Sequence, residues 1–175
     1  QSDHFRLNIK QFVSRHFKRP MHDYRTVWKR FTEESASHVH QPDLCEGLSK
    51  LIAETFDSHS VNLWLFENER AKLNLAASTA PTDSAPNTIN LPSDTLHRLK
   101  AQYAQSNRPV DLDKSKDDWT QYLRNANPKK FPHGGHRICI PITVSDSILG
   151  LIVIGDRVSG IPFTEPEFDI LNSIG

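Results

Sequence analysis

The chain has 175 residues, and its apolar share of 37% is enough to bury the core of one domain under flanking helices. Its 21 Lys plus Arg match 21 Asp plus Glu, so the chain as a whole has no electrostatic reason to seek nucleic acid or an anionic surface. Cys45 and Cys139 fit neither a disulfide framework nor a paired-cysteine metal site, and no run is apolar and long enough to span a bilayer or to serve as a signal peptide. A cytoplasmic chain is expected.

Phe5, Ile9, Phe12, Val13 and Phe17 recur at helical spacing, and after Lys18-Arg19-Pro20 so do Tyr24, Val27, Trp28 and Phe31, which predicts two opening helices within residues 1–40. A third helix is expected after Pro42, with Asp43 as its cap, Glu46 reaching back, and Leu44, Leu48, Leu51, Ile52 and Phe56 as its buried stripe. The period then changes to that of strands. Val61 to Phe66 and Leu73 to Ala77 read as an antiparallel hairpin, the first with large apolar side chains on both faces, as in a central strand.

The stretch from Ser78 to Asn90, rich in Pro, Ser, Thr and Asn, reads as a loop. Ser93 then caps a short helix with Leu96, Leu99 and Tyr103 inside, and Pro109 to Leu112 supply a brief strand. Trp119, Tyr122, Leu123 and Ala126 outline another short helix. After a loop with a glycine pair come two strongly apolar strands, Arg137 to Val144 and Ile148 to Gly155. Thr164, Pro166 and Glu167 start a last helix carrying Phe168, Leu171 and Ile174. That helix breaks off at Gly175 short of a comfortable length, as expected of an excised fragment. The order predicts an α+β sandwich on one antiparallel sheet with helices on both faces.

Ile138-Cys139-Ile140-Pro141-Ile142, then Ile148-Leu149-Gly150-Leu151-Ile152-Val153-Ile154, then Phe163-Thr164-Glu165-Pro166-Glu167-Phe168 are similar in order and spacing to the second half of the GAF family. The resemblance implies a GAF-like domain over residues 41–175, its C-terminal helix truncated, preceded by a helical linker over residues 1–40. His16-Phe17, Asp23-Tyr24-Arg25, Trp28 and Phe31-Thr32 resemble the segment before the GAF domain in membrane-anchored sensor histidine kinases, including those of exosortase systems. Arg6 to Arg19 hold five basic residues and no acid, as on the cytoplasmic side of a membrane helix, although a solvated face gives the same pattern.

Fold does not fix function, so the candidate pocket between Ser93 and His136 must carry it. Trp119 and Tyr122, one turn apart, are an aromatic pair for a flat or apolar ligand, with plain core packing as the competing reading. His133, His136 and Arg137 surround Gly134-Gly135 and suit an anionic ligand, or an exposed loop. Cys139 lies in a strand, and Cys45 in a first helical turn that would stabilise a thiolate, although single buried cysteines are usually inert. Trp119, Tyr122, His136, Arg137 and Cys139 are therefore the candidate ligand-binding residues. No metal site is expected, and the Asp-Ile-Pro motif of bilin-binding relatives and the signature of cyclic-nucleotide-binding ones are not recognisable.

No Gly-x-Ser-x-Gly elbow, phosphate loop or His-Glu-x-x-His motif is present. The expectation is a non-catalytic sensory module of a bacterial histidine kinase that takes a small ligand or mediates weak homodimerisation, with the kinase domain downstream and any membrane contact made by flanking segments. Two alternatives remain: a redox enzyme of the free methionine sulfoxide reductase type, which needs its cysteines gathered at one pocket, and the effector domain of a transcription regulator.

Overall fold

A computed structural model describes residues 41–67, 70–80, 86–129, 133–144, 146–157 and 159–174. The two opening helices and the linker expected over residues 1–40 lie outside the described residues. Helix α1 spans Gln41–Phe56, followed by strands β1 (Ser58–Phe66), β2 (Lys72–Ser78) and β3 (Thr88–Asn90). Helix α2 (Ser93–Gln105), strand β4 (Val110–Asp111) and helix α3 (Asp118–Ala126) lead to β5 (Ile138–Val144), β6 (Ser147–Arg157) and helix α4 (Glu165–Ile174).

The strands form one six-stranded sheet in the order β3-β2-β1-β6-β5-β4. Every neighbouring pair is antiparallel. Both expected hairpins are present, and their first and last strands, β1 and β6, join them through the centre of the sheet, Val61 facing Ile154 and Leu63 facing Ile152. Gly150 sits where this crossing is tightest: a Cβ there would lie 2.1 Å from the Trp64 carbonyl oxygen, a distance only glycine avoids.

Strand alternation sends the apolar side chains into two cores. Val61, Leu63, Ile138, Ile140, Ile152 and Ile154 face α1 and α4, where they meet Leu44, Cys45, Ile52, Phe56 and Leu171. Trp64, Leu73, Cys139, Leu151 and Val153 face α2 and α3, where they meet Leu99, Tyr103, Trp119 and Leu123. β1 therefore contributes to both cores, as its sequence predicts.

Four local expectations need correction. The segment from Ser78 to Asn90 is not all loop: Thr88–Asn90 add an edge strand, with Ile89 opposite Leu73. Three residues with one buried side chain are too short for a period-2 signal. Ser93 is the first helical residue rather than the cap of α2, which follows Pro92 without a side-chain cap bond. Helix α1 opens at Gln41, so Asp43 belongs to its first turn, where a carboxylate favours the positive end of the helix dipole. The inner face of α3 runs through Trp119, Thr120, Leu123 and Ala126, while Tyr122 stands 36% exposed.

Candidate functional site

The face under α2 and α3 is apolar at its centre and polar at one end. Asn62 and Trp64 alternate with Val61 and Leu63 along β1, so their side chains point towards α3. There, Asn127 at the end of α3 accepts from Asn62 Nδ2 at 2.7 Å and from Trp64 Nε1 at 3.2 Å, and donates through its own Nδ2 to the Leu123 carbonyl at 2.6 Å. Asn62 in turn accepts from the Ser78 hydroxyl of β2. Buried amides are costly unless paired, and this chain of bonds pairs them while fixing α3 to the centre of the sheet.

Arg137, just before β5, closes the same end. Its backbone N–H donates to Asp113 Oδ2 at 2.7 Å, its Nε to that oxygen at 3.2 Å, and its Nη2 to Oδ1 at 2.6 Å. Nη1 reaches the carbonyls of Arg124 at 3.0 Å and Asn127 at 2.9 Å, so a cation satisfies the open end of α3 and complements its dipole. The Arg137 stem crosses Gly155 of β6, where a Cβ would meet its Cγ at 3.2 Å. Burial alone would raise the Asp113 pKa, but the hydrogen bonds and charge of Arg137, with Lys129 at 3.6 Å, hold it below its ordinary value.

Asp113 is itself held in place by Asp111. The Oδ1 of Asp111 accepts from the backbone nitrogens of Asp113 at 3.0 Å and Lys114 at 3.1 Å, a turn built by an aspartate on its own following residues. The other carboxylate oxygen lies 2.7 Å from Nδ1 of the exposed His136.

Thus His136 and Arg137 do come together with neighbouring acids at one end of the face. Trp119 is fully buried in the α2/α3 core, its indole donating to Gln102 at 2.8 Å and its ring 5.7 Å from that of Tyr103. Tyr122 emerges on the outer side of α3, so the two aromatics do not form one surface. Cys139 is buried in the same core as Trp119, where burial pushes its thiol up to about 12. Cys45 lies in the opposite core, its thiol pushed up to about 11 by burial, so the start of α1 does not activate it. Among the described residues, no group of three or more His, Cys, Asp or Glu side chains is placed to hold a metal ion. Likewise, no described helix is long and apolar enough to cross a membrane.

Sequence reasoning missed Asn62, Asp111, Asp113 and Asn127. The pairing of β4 with β5, Asp111 opposite Ile138, brings both acids to Arg137 and His136, and no linear spacing encodes it.

A family model described as GAF domain matches residues 40–175. The chain belongs to the GAF family. Its fold is that of the phycocyanobilin-bound GAF domain of a cyanobacterial phytochrome, at 14% identity and a TM-score of 0.56, covering 86% of this chain and 89% of that one. It is similar also to the GAF domain of an Acinetobacter phosphoenolpyruvate-protein phosphotransferase, at 15% identity and a TM-score of 0.54 over 90% of this chain and 89% of that one. A free methionine-R-sulfoxide reductase from Neisseria meningitidis, solved with its substrate, shares the GAF fold at 16% identity and a TM-score of 0.52, over 86% of this chain and 83% of that one. At such identities the likeness is one of fold. No curated protein matches the sequence.

Proposed function

We propose that this GAF domain is a non-catalytic sensory module of a bacterial signal-transduction protein, a sensor histidine kinase, and that its polar end between α3 and β5 is where a small ligand acts. The observation that supports a regulatory role is the Arg137–Asp113 pair. Its side chains are only 13% and 15% exposed, and the Arg137 guanidinium, at the start of β5, ties the turn after β4 through Asp113 to the last carbonyls of α3. A competing anion that takes the Arg137 guanidinium from Asp113 loosens this tie, with His136 held beside it by Asp111. Trp119 and Cys139 serve this site as packing, beneath it rather than on its surface.

The reductase reading is the weaker one. A dithiol mechanism needs two sulfurs in bonding range, whereas Cys45 and Cys139 belong to cores on opposite faces of the sheet, both with thiols far from ionisation at neutral pH.

The test is the sequence encoded after Gly175 and the activity of the complete protein. A phosphoacceptor helix and an ATP-binding domain, with autophosphorylation that changes on Asp113→Asn, support the proposal. A downstream DNA-binding domain, or no output domain at all, overturns the kinase assignment. Reduction of free methionine R-sulfoxide by the domain overturns its non-catalytic character.

A further inference from the structure

Arg157, the last residue of β6, takes part in two contacts of different kinds. Its backbone N–H donates to the Gly134 carbonyl at 2.7 Å, in the loop that leads to Arg137. Its guanidinium faces the other way, onto the start of α4. There it pairs with both carboxylate oxygens of Glu167 and donates to the carbonyls of Ile161 at 3.2 Å and Pro162 at 3.3 Å. The same Glu167 carboxylate accepts from the Thr164 backbone N–H at 2.8 Å and its hydroxyl at 3.1 Å. The helix start and the strand end therefore share one carboxylate.

Further contacts narrow the freedom of this junction. The Arg157 guanidinium carbon lies 4.6 Å from the centre of the Phe163 ring, which packs 5.8 Å from Phe56 of α1 and 6.1 Å from Phe168 of α4. Gly160, at φ +62°, passes so close to the loop that a Cβ would lie 2.5 Å from the His133 carbonyl oxygen. The loop from His133 to Arg137 is thus held at one end by Asp113 and the last carbonyls of α3, and at the other by the connection into α4.

We infer that Arg157 is a positioning residue that couples the α3–β5 loop to helix α4, its backbone following Gly134 and its guanidinium carrying the displacement into the first turn of the helix. Release of Arg137 from Asp113 shifts the loop; the 2.7 Å bond from Gly134 carries that shift to the end of β6; and the Glu167 clamp passes it to α4. The inference rests on the sensory reading for its purpose but not for the coupling itself, which belongs to this domain alone.

Hydrogen exchange of the chain, read on peptides covering residues 118–127 and 165–174 with the β1 strand as an internal reference, tests it. Arg137→Gln is expected to speed exchange in the first turn of α4 several-fold beyond any change in β1. Arg157→Gln keeps the backbone bond to Gly134 but removes the clamp, so α4 exchanges faster in that variant. Adding Arg137→Gln to it then produces no further increase at α4, a non-additivity that independent sites do not show. If Arg137→Gln does not fold, Asp113→Asn loosens the same anchor more gently and is read in the same way. Additive effects at α4 overturn the relay, as do an acceleration confined to residues 118–127 or one shared equally with β1. A wrong sensory reading would instead show in the output of the complete protein and leave this coupling intact.

Discussion

Asp113 accepts three hydrogen bonds from Arg137, one from its backbone nitrogen at 2.7 Å and two from its side chain at 3.2 and 2.6 Å. The carboxylate thereby fixes both where the β5 chain begins and where its guanidinium points, towards the last carbonyls of α3. A lysine could supply the charge but not this planar fork.

Acid should therefore loosen the clamp. Burial of Asp113 opposes its ionisation, but Arg137 and Lys129 hold its pKa below the ordinary value of 3.8. A carboxyl with a depressed folded pKa contributes stability that is fully present above its unfolded value and is lost as pH falls through its folded value. Denaturant midpoints are expected to fall as pH drops below about 5, and Asp113→Asn should be less stable at pH 7 with a shallower fall across that window. Parallel curves for the two proteins would mean that the pair adds nothing to stability.

Asn127 is expected to matter for stability out of proportion to its size. Asn127→Leu leaves the buried donors of Asn62 and Trp64 without their shared acceptor, at about 1–3 kcal/mol for each group left unpaired. Thermal unfolding should shift down by roughly 2–4 °C per kcal/mol for a domain of this size. An unchanged midpoint would show that water replaces the lost carbonyl.

The two aromatics of α3 should behave oppositely. Trp119→Ala empties a fully buried site and is expected to cost about 3–5 kcal/mol, whereas Tyr122→Ala, on the outer side, should stay within about 0.5 kcal/mol. Equal losses in urea denaturation would place both rings in one core.

Thiol chemistry separates the folded chain from the unfolded one. With Cys45 at about 11 and Cys139 at about 12, only a minute thiolate fraction exists at pH 8, and both sulfurs are buried. Iodoacetamide should leave both unmodified in the folded chain and label both in denaturant. Rapid labelling of either one under native conditions would reopen a redox role.

Gly150 and Gly155 lie on the same strand but should tolerate a methyl group differently. Gly150→Ala meets the Trp64 carbonyl at 2.1 Å and is expected to cost about 2–3 kcal/mol, because a backbone atom at the sheet centre has nowhere to go. Gly155→Ala meets the Arg137 Cγ at 3.2 Å and the Ser60 Cβ at 4.0 Å, side-chain atoms that need give way by only a few tenths of an ångström, and should cost about 1 kcal/mol. Midpoints in urea that rank the other way would contradict the strand register.

Periodicity was enough to find both hairpins, α2, α3 and α4, and the place of β1 in the sheet interior, because each of these signals is set within a few residues by the side chains themselves. It also marked Arg137 and His136 as groups worth attention beside a glycine pair. The partners of those groups were not legible: Asp113 is separated from Arg137 by 24 residues, and Asn62 from Asn127 by 65, distances bridged only by the pairing of β4 with β5 and the packing of α3 on β1. Helical spacing placed Trp119 and Tyr122 one turn apart but could not say which way the helix turns about its axis. Burial of Leu123 and Ala126 decides that, placing Trp119 inside and Tyr122 outside. Local sequence thus determined the helices and the long strands but not the three-residue edge strand β3, since helix and strand periods are local properties of the chain that need several residues to show. The tertiary structure alone decided which charges meet, because an ion pair depends on where distant segments come to rest against one another.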